Sequence, residues 1–234
     1  MKVVGITNPG LMRDNNEDCF LIQREKGLLI VADGMGGHAA GEKASKLAVR
    51  TVVSALGDYQ GRPEERIKAA ITAANGAILA QAAANSALTG MGTTFTLVAV
   101  LPDSLVTGHI GDSAAFLIDA EGMLPLTSDH SVSGQLLAAG KITSAEAACH
   151  PQRHVLTRAL GIDSCVDIEI QRQPWNPGQK LLLCSDGLTE VVSASEIFQV
   201  IEGSGELEGK INSLLSLVLE RGAPDNVTII LAQL

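Results

Sequence analysis

The chain has 234 residues and a formal net charge of −9, with 46% hydrophobic and 18% charged residues. That composition is ordinary for a globular core and argues against an intrinsically disordered chain. The negative charge disfavours nucleic acid or an anionic membrane as a partner. We find no linker in the sequence, so we expect one domain over residues 1–234.

The cysteines and the N-terminal segment indicate in which cellular compartment the protein is expected. The first ten residues lack the apolar core of a signal peptide, and no apolar stretch is long enough to span a bilayer. The four cysteines form no closely spaced pair and match no zinc spacing. In the absence of an export signal, the expected location is the reducing cytoplasm.

The first part of the chain predicts three strands, over residues 2–7, 19–23 and 28–32. Apolar residues at helical spacing then predict a helix from about Gly41 to Leu56, which Gly57 would end. A second helix is expected after Pro63, because the sequence that follows is rich in alanine.

The middle of the chain predicts short strands over residues 93–100, 104–110 and 114–118. Their close spacing indicates an antiparallel meander. The segment 131–160 then changes character, since it is rich in alanine and contains the capping pattern Thr143-Ser144-Ala145-Glu146. We expect this segment to form short helices outside the sheet, and we call it the flap.

The last third predicts strands over residues 166–172, 180–185 and 227–232. A capping pattern at Ser193 opens a short helix, and a longer helix is expected over residues 207–221. Two helices in each half, with many strands between them, predict an α+β fold. The expected architecture is a central antiparallel β-sandwich flanked by pairs of helices, in four layers αββα. A parallel βαβ series fits worse, because the alternation of strands and helices is not sustained.

Four aspartates stand at the edges of apolar runs. Asp33, Asp112 and Asp186 each follow such a run, and Asp225 precedes one. Taken singly, each is an ordinary turn residue or strand entry, since Asp-Gly is a common hairpin turn. Gathered together, their carboxylates would repel one another unless a cation lay among them. The pattern therefore raises the question of a metal site.

Two further segments bear on that question. Residues 13–18 read Arg-Asp-Asn-Asn-Glu-Asp, which is either a solvated loop or an arginine for a phosphate with two carboxylates beside it. Residues 33–42 are rich in glycine and open a helix. Glycine lets the backbone approach a ligand and leaves its carbonyl groups free to coordinate. The segment matches neither the P-loop nor the dinucleotide-binding fingerprint.

Seven short motifs follow one another along the chain: Arg13-xx-Asn16-Glu17-Asp18, Asp33-Gly34-Met35-Gly36-Gly37, Gly90-Met91-Gly92-Thr93-Thr94, Gly111-Asp112-Ser113, Ser128-Asp129-His130-Ser131, Cys184-Ser185-Asp186-Gly187-Leu188 and Asp225-Asn226. Their order resembles that of the metal-dependent protein phosphatases, and the chain resembles the bacterial protein phosphatase 2C type. The resemblance extends from Gly5 to Ile230. It implies a central β-sandwich flanked by helix pairs, with two metal ions at one end.

The resemblance assigns the core of a binuclear site. It implies that Asp33 bridges both ions, that Asp186 and Asp225 complete the first site, and that the carbonyl of Gly34 contacts the second ion. These ligands all offer oxygen, so a hard ion such as Mg²⁺ or Mn²⁺ is expected. Two ions sharing a carboxylate lower the pKa of a bridging water, and the resulting hydroxide would attack phosphorus.

The remaining implied roles surround this core. Glu17 and Asp18 would hold waters of the second ion, and Asp112 would bind a third ion together with Asp186. Arg13 matches the phosphate-binding arginine of the family, and its planar fork suits two phosphoryl oxygens.

The general acid is a point at which the sequence departs from the animal form of the family. In that form a histidine directly follows the Asp-Gly and is proposed as the general acid, whereas this chain has Met35 there. His38 occupies the later position of the bacterial pattern. It either donates a proton to the leaving oxygen or organises the loop.

The flap matches the mobile flap of bacterial members beside the metal centre. Its charged residues Arg153, His154 and Arg158 either meet substrate phosphate or acidic neighbours, or are solvated surface charge.

The sequence therefore predicts a metal-dependent protein serine/threonine phosphatase, a monomeric signalling hydrolase. Its expected partners are phosphorylated proteins, the substrates of a cognate Ser/Thr kinase, with no nucleic acid and no membrane. Two alternatives are a catalytically inactive sensor or scaffold of the same fold and a phosphatase for small metabolites. The intact aspartates argue against the first alternative, and the flap argues weakly against the second.

Overall fold

Two antiparallel sheets packed face to face form the centre of the computed structural model, which describes residues 1–36, 39–57, 59 and 61–234. The strands are β1 (Lys2–Asn8), β2 (Cys19–Gln23), β3 (Leu28–Ala32), β4 (Gly34–Met35), β5 (Gly92–Thr93), β6 (Phe95–Val100), β7 (Ser104–Ile110), β8 (Ala114–Asp119), β9 (Gly122–Pro125), β10 (Glu169–Pro174), β11 (Lys180–Cys184) and β12 (Val227–Gln233). The α-helices are α1 (Ala39–Leu56), α2 (Pro63–Ala84), α3 (Val132–Ala138), α4 (Ser144–Ala148), α5 (Asp186–Thr189), α6 (Ala194–Glu202) and α7 (Leu207–Glu220).

The strand order is β1-β12-β11-β8-β9 in one sheet and β10-β7-β6-β3-β2 in the other, and β4 pairs with β5 in a separate ribbon. Because side chains alternate along each strand, one set packs between the two sheets and the other packs against the helices. In β3, for example, Leu29 and Val31 pack between the two sheets, whereas Leu28 and Ile30 pack under α1 and α2. This double burial explains why the strand is a continuous apolar run.

The other sheet follows the same rule. In β11, Leu181 and Leu183 pack between the sheets, whereas Leu182 and Cys184 pack under α6 and α7. The layers are therefore helix pair, sheet, sheet and helix pair, which confirms the predicted α+β sandwich.

The structure corrects the prediction of a meander in the middle of the chain. Strands β6 and β7 pair with each other, but β8 pairs with β11 in the opposite sheet. The chain crosses between the sheets at Gly111, whose φ of 112° favours glycine. A Cβ there would also lie 2.6 Å from the Cβ of Thr94. The crossover places Asp112 at the edge of the sandwich rather than in a hairpin.

Two strands also differ in extent from the sequence prediction. The strand expected over residues 93–100 is divided at Thr94 between β5 and β6, and the strand expected from residue 166 begins at Glu169. The predicted helices were close to the observed ones. Helix α2 begins at Pro63, where the missing N–H of proline costs no helical hydrogen bond.

The flap contains α3 and α4, as expected, followed by irregular backbone. One isolated β-bridge, between Thr93 and Leu160, joins the flap to the body, and a second, between Ser131 and Leu156, lies within the flap. Among the described helices, none combines the length and the apolar character that crossing a membrane requires.

Candidate metal centre

The four strand-edge aspartates meet at one end of the sandwich. Strands β3 and β7 are both antiparallel to β6, so their C-terminal ends, and with them Asp33 and Asp112, lie at the same edge. Strands β11 and β12 are antiparallel to each other, so Asp186 after β11 lies beside Asp225 before β12. A cleft of about 940 Å³ opens there. The predicted site residues that line it are Arg13, Glu17, Asp33, Gly34, Asp112, Asp186 and Asp225.

The backbone around Asp33 is held by two threonines. Its N–H donates to Thr94 Oγ1 at 2.9 Å, and its carbonyl accepts from Thr93 Oγ1 at 2.8 Å and from the Thr94 N–H at 2.8 Å. Thr94 Oγ1 also lies 2.8 Å from Ser113 Oγ. Thr94, the residue at which the predicted strand is divided, therefore connects the loop of Asp33 to the crossover segment of Asp112.

Glycine is required at positions 34 and 41 because neighbouring atoms approach the backbone too closely to leave room for a Cβ atom. A Cβ on Gly34 would lie 2.3 Å from the Gly41 carbonyl oxygen and 2.7 Å from the Glu17 carbonyl oxygen. A Cβ on Gly41 would lie 1.9 Å from Glu17 Oε2. The start of α1 thus packs directly on Glu17 and on the residue whose carbonyl is expected to contact an ion.

Asp18 lies directly behind the cleft and is 5% exposed. Its Oδ2 accepts from Ser185 Oγ at 2.8 Å and from Thr228 Oγ1 at 2.6 Å, whereas its Oδ1 has no hydrogen-bond partner among the described residues. Burial is the largest cause that raises the pKa of Asp18 to about 6. Ser185 and Thr228 were not assigned roles from the sequence, because nothing in it shows that they face Asp18.

Without a cation, the buried carboxylates of the cleft repel one another and destabilise the folded protein. Burial, followed by the neighbouring acidic groups, raises the pKa values of Asp33 and Asp186 well above the ordinary range. Burial and then Asp129 raise the pKa of Asp112 to about 7. Asp186 Oδ1 is buried and has no hydrogen-bond partner among the described residues. A divalent cation would neutralise this charge and satisfy such oxygens, so the donor set fits a hard metal ion.

Arg13 lies at the cleft and pairs with Asp225. Its Nη2 donates to Asp225 Oδ2 at 2.7 Å, and its side chain is 56% exposed. Asp225 Oδ1 accepts from the Asn226 N–H at 2.8 Å. The guanidinium is thus held beside the clustered aspartates while most of the Arg13 side chain faces solvent.

Asn226 organises the loop that carries Arg13 and Glu17. Its Oδ1 accepts from the Glu17 N–H at 2.7 Å, and its Nδ2 donates to the carbonyl oxygens of Pro9 and Asn15, at 2.9 Å each. The sequence places Asn226 in a motif but does not reveal this role, since the partners are more than 200 residues away in the chain.

His38, a candidate general acid, lies outside the described residues.

Two other histidines, His109 and His130, form a hydrogen-bond network behind the Asp112 crossover. His109 Nδ1 is 2.9 Å from Thr96 Oγ1, and its Nε2 is 2.9 Å from the Ser128 carbonyl oxygen. His130 accepts from the Gly111 N–H at Nδ1 and lies 3.1 Å from Glu169 at Nε2. Every ring nitrogen of this pair therefore has a hydrogen-bond partner, and the pair connects the Asp112 crossover to Ser128 and Glu169.

The flap residues meet acidic neighbours, one of the two interpretations of the sequence. Arg158 Nη1 lies 2.8 Å from Asp167 Oδ2, and His154 Nδ1 lies 2.6 Å from Glu190 Oε1. Arg153 and His154 also line the cleft. The flap therefore forms one wall of the site.

Comparison with known proteins agrees with this geometry. The family model described as protein phosphatase 2C matches residues 13–216. The serine/threonine phosphatase stp of Listeria innocua is 33% identical over 97% of this chain and 93% of its own length. The crystal structure of Stp1 from Staphylococcus aureus superposes with a TM-score of 0.94 at 36% identity, covering 100% of this chain and 94% of that one.

A further solved structure contains metal ions. It is the catalytic domain of the phosphatase PstP in complex with two manganese ions, and it matches with a TM-score of 0.89 at 35% identity, over 99% of this chain and 97% of that one. The match of the family model over most of the chain and the identity to full-length relatives lead to one conclusion: this chain belongs to the protein phosphatase 2C family.

Proposed function

We propose that this protein hydrolyses phosphoserine and phosphothreonine in other proteins, using two divalent ions held at the edge of the sandwich. The observation that carries the proposal is the convergence of Asp33, Asp186 and Asp225 in one cleft with Arg13. The relatives named as serine/threonine phosphatases support it. The retained aspartates disfavour an inactive scaffold, since such a protein has no need to keep buried carboxylates together.

The chain's own residues have separate tasks in this proposal. Asp33 would bridge the two ions, Asp186 and Asp225 would hold the first, and the Gly34 carbonyl would contact the second. Glu17 and Asp18 would orient waters of the second ion. The bound ions would supply a water of lowered pKa near the substrate phosphorus.

Arg13 would hold the substrate phosphate. Its exposed guanidinium offers several N–H donors in one plane, and one of them is already used to fix it against Asp225. Binding two phosphoryl oxygens would orient the phosphorus and offset the charge of the transition state. His38 remains a candidate for either proton donation or loop organisation.

The finer assignments rest on chemistry and resemblance. All-oxygen ligands favour Mg²⁺ or Mn²⁺, and Asp112 with Asp186 would hold a third ion. We propose that the chain acts as one domain and as a monomer in the cytoplasm. Its substrates would be phosphoproteins of a cognate Ser/Thr kinase, because the flap beside the cleft offers a surface that a small metabolite does not need.

A phosphothreonine peptide tests the proposal. Mn²⁺ should stimulate phosphate release, and a chelator should abolish it. Asp186→Asn should lower kcat/KM at least about a hundredfold, a loss of about 2.7 kcal/mol in transition-state stabilisation. Asp103→Asn, a control in the exposed turn between β6 and β7, should leave the rate unchanged. Hydrolysis that survives the chelator would refute the proposal, and faster hydrolysis of phosphorylated metabolites would favour the small-substrate alternative.

A further inference from the structure

Ile162 and Met35 form an apolar patch on the wall of the cleft. Both side chains line the cleft, and Ile162 is 47% exposed. A Cβ on Gly92 would lie 2.7 Å from Met35 Cε and 3.1 Å from Ile162 Cδ1, so the two side chains meet over this glycine. Met35 directly follows Gly34, whose carbonyl is expected to contact the second ion. The patch therefore lies beside the metal centre, in a lining that is otherwise rich in charged residues.

A buried amide holds Ile162 in this position. Asn75 of α2 is 2% exposed. Its Oδ1 accepts from the Gly161 N–H at 2.7 Å, and its Nδ2 donates to the Asp163 carbonyl oxygen at 2.8 Å. The backbone is thus fixed on both sides of Ile162. Gly161 itself packs inward, since a Cβ there would lie 2.4 Å from Ile78 Cγ2, whereas Ile162 lines the cleft.

The same segment is connected to the backbone of Asp33. Leu160 and Thr93 exchange two backbone hydrogen bonds, of 2.9 and 3.0 Å, and Thr93 Oγ1 donates to the Asp33 carbonyl oxygen at 2.8 Å. A single exposed isoleucine is ordinary on a protein surface. Ile162 is distinguished by its place inside the cleft and by a backbone that is already fixed there. Little conformational freedom of this segment remains to be lost when a ligand binds.

A protein substrate brings more than a phosphate into the cleft. Consecutive Cα atoms are about 3.8 Å apart, so the residues next to a phosphothreonine at the ions lie along the adjoining wall. An aliphatic side chain there would remove Ile162 and Met35 from water, whereas a polar one would lose hydration against them without gaining a partner. A second copy of the chain could cover the patch only by entering the cleft, which favours the substrate as the occupant.

We propose that Ile162 and Met35 contact the residue next to the phosphothreonine and select substrates that carry a large aliphatic side chain there. Asn75 is a positioning residue, because it acts through Ile162 and not on the substrate. The inference rests on the proposed phosphatase function, and it names the class of phosphoprotein segment that the site accepts.

Two phosphothreonine peptides test the proposal. They are identical except that the residues on both sides of the phosphothreonine are leucine in one and serine in the other. The ratio of their kcat/KM values is measured with Mn²⁺ for the parent, Ile162→Ala, Asn75→Ala and Leu124→Ala. Leu124, on β9, is also 47% exposed and is the matched control. Because each ratio is taken on one protein, a general loss of activity cancels, and circular dichroism checks that each variant is folded.

The parent should prefer the leucine peptide at least about fourfold, the value of one methylene removed from water. Ile162→Ala should reduce this preference below about twofold, and Leu124→Ala should keep it within about twofold of the parent's. Asn75→Ala should also lower the ratio, although it leaves every apolar atom of the patch in place. A loss of stability alone would not change the ratio.

Three results would count against the proposal. A parent without a preference, or a preference that survives Ile162→Ala, would overturn the patch as a specificity site. An unchanged ratio in Asn75→Ala would overturn the positioning role of Asn75.

Binding separates this inference from the phosphatase function. Phosphonate analogues of the two peptides, whose C–P bond resists hydrolysis, are titrated with Mn²⁺ present and followed by fluorescence anisotropy. A leucine preference in Kd that requires Ile162, in a protein that hydrolyses neither peptide, would support the patch and contradict the phosphatase function. Equal hydrolysis of the two peptides would support the function and overturn the patch.

Sedimentation distinguishes the other occupant. The parent and Ile162→Ala should sediment alike if the patch contacts substrate. A dimer that is lost in Ile162→Ala, together with equal affinity of the parent for the two analogues, would assign the patch to a second copy of the chain and overturn the proposal.

Discussion

Replacement of Asp18 by asparagine should stabilise the metal-free protein. The change is nearly isosteric, and the asparagine Oδ1 can keep the bonds that Ser185 and Thr228 donate to Asp18 Oδ2. The amide group would then occupy the place of Asp18 Oδ1, which has no hydrogen-bond partner among the described residues. The substitution therefore removes a buried charge without breaking a hydrogen bond.

The size of the effect follows from the pKa. Folding raises the pKa of Asp18 from 3.8 to about 6, so at neutral pH its ionisation costs about 3 kcal/mol of stability at about 1.4 kcal/mol per unit. Burying an unpaired amide group costs about 1–3 kcal/mol. The charge term is at least as large, and we expect a net stabilisation of up to about 2 kcal/mol near pH 7.5.

The sign of the pH dependence provides a second check. An acid whose pKa is raised by folding destabilises the folded state above its unfolded pKa, and this penalty disappears as pH falls through about 6 toward 3.8. The advantage of Asp18→Asn should therefore vanish, or reverse, near pH 4.

Urea denaturation in the presence of a chelator, at pH 7.5 and at pH 4, measures the difference in stability between Asp18→Asn and the parent. Asp103→Asn, an exposed aspartate in the turn before β7, is the matched control and should change stability by less than about 0.5 kcal/mol. Mn²⁺ should stabilise the parent more than Asp18→Asn. Two results would refute the reasoning. One is a metal-free Asp18→Asn protein that is less stable than the parent near pH 7.5, and the other is a variant whose advantage over the parent is the same at pH 7.5 and at pH 4.

Three further predictions concern the loops of the site. Arg13→Ala should raise KM for a phosphothreonine peptide about tenfold or more while Mn²⁺ affinity, measured by calorimetry, falls less; an equal loss of both would contradict a role in phosphate binding. Asn226→Ala should lower the free energy of unfolding by about 1–3 kcal/mol in urea, because it removes the hydrogen bonds from Asn226 to the Glu17 N–H and to the carbonyls of Pro9 and Asn15, and unchanged stability would contradict this role. Gly41→Ala should weaken Mn²⁺ binding in calorimetry, since its Cβ would lie 1.9 Å from Glu17 Oε2, whereas Gly76→Ala in the open face of α2 should not.

Much of the fold could be predicted from the sequence, because the relevant signals are local. The helical spacing before Leu56 and the apolar run of β3 specify the elements whatever their partners are. The pairing of β8 was not predictable in this way. Whether the chain turns back or crosses to the other sheet after Gly111 depends on contacts with β11, which is distant in sequence.

The same distinction applies to the site. The aspartates could be recognised because each stands at the edge of an apolar run, and their motif order resembles that of a known family. The residues that hold them were not visible as such. Asn226, Ser185 and Thr228 are ordinary polar residues whose importance lies in bonds to the segment around Glu17 and Asp18, far away in the chain.

The most direct test of the account is the location of metal in crystals grown with Mn²⁺. Anomalous diffraction at the manganese edge should show two peaks bridged by the carboxylate of Asp33, and a third peak beside Asp112 and Asp186. One ion should contact Asp186 and Asp225, and the other should contact the carbonyl oxygen of Gly34. Manganese peaks away from the cleft, or an Asp33 carboxylate that touches neither ion, would contradict the central claim.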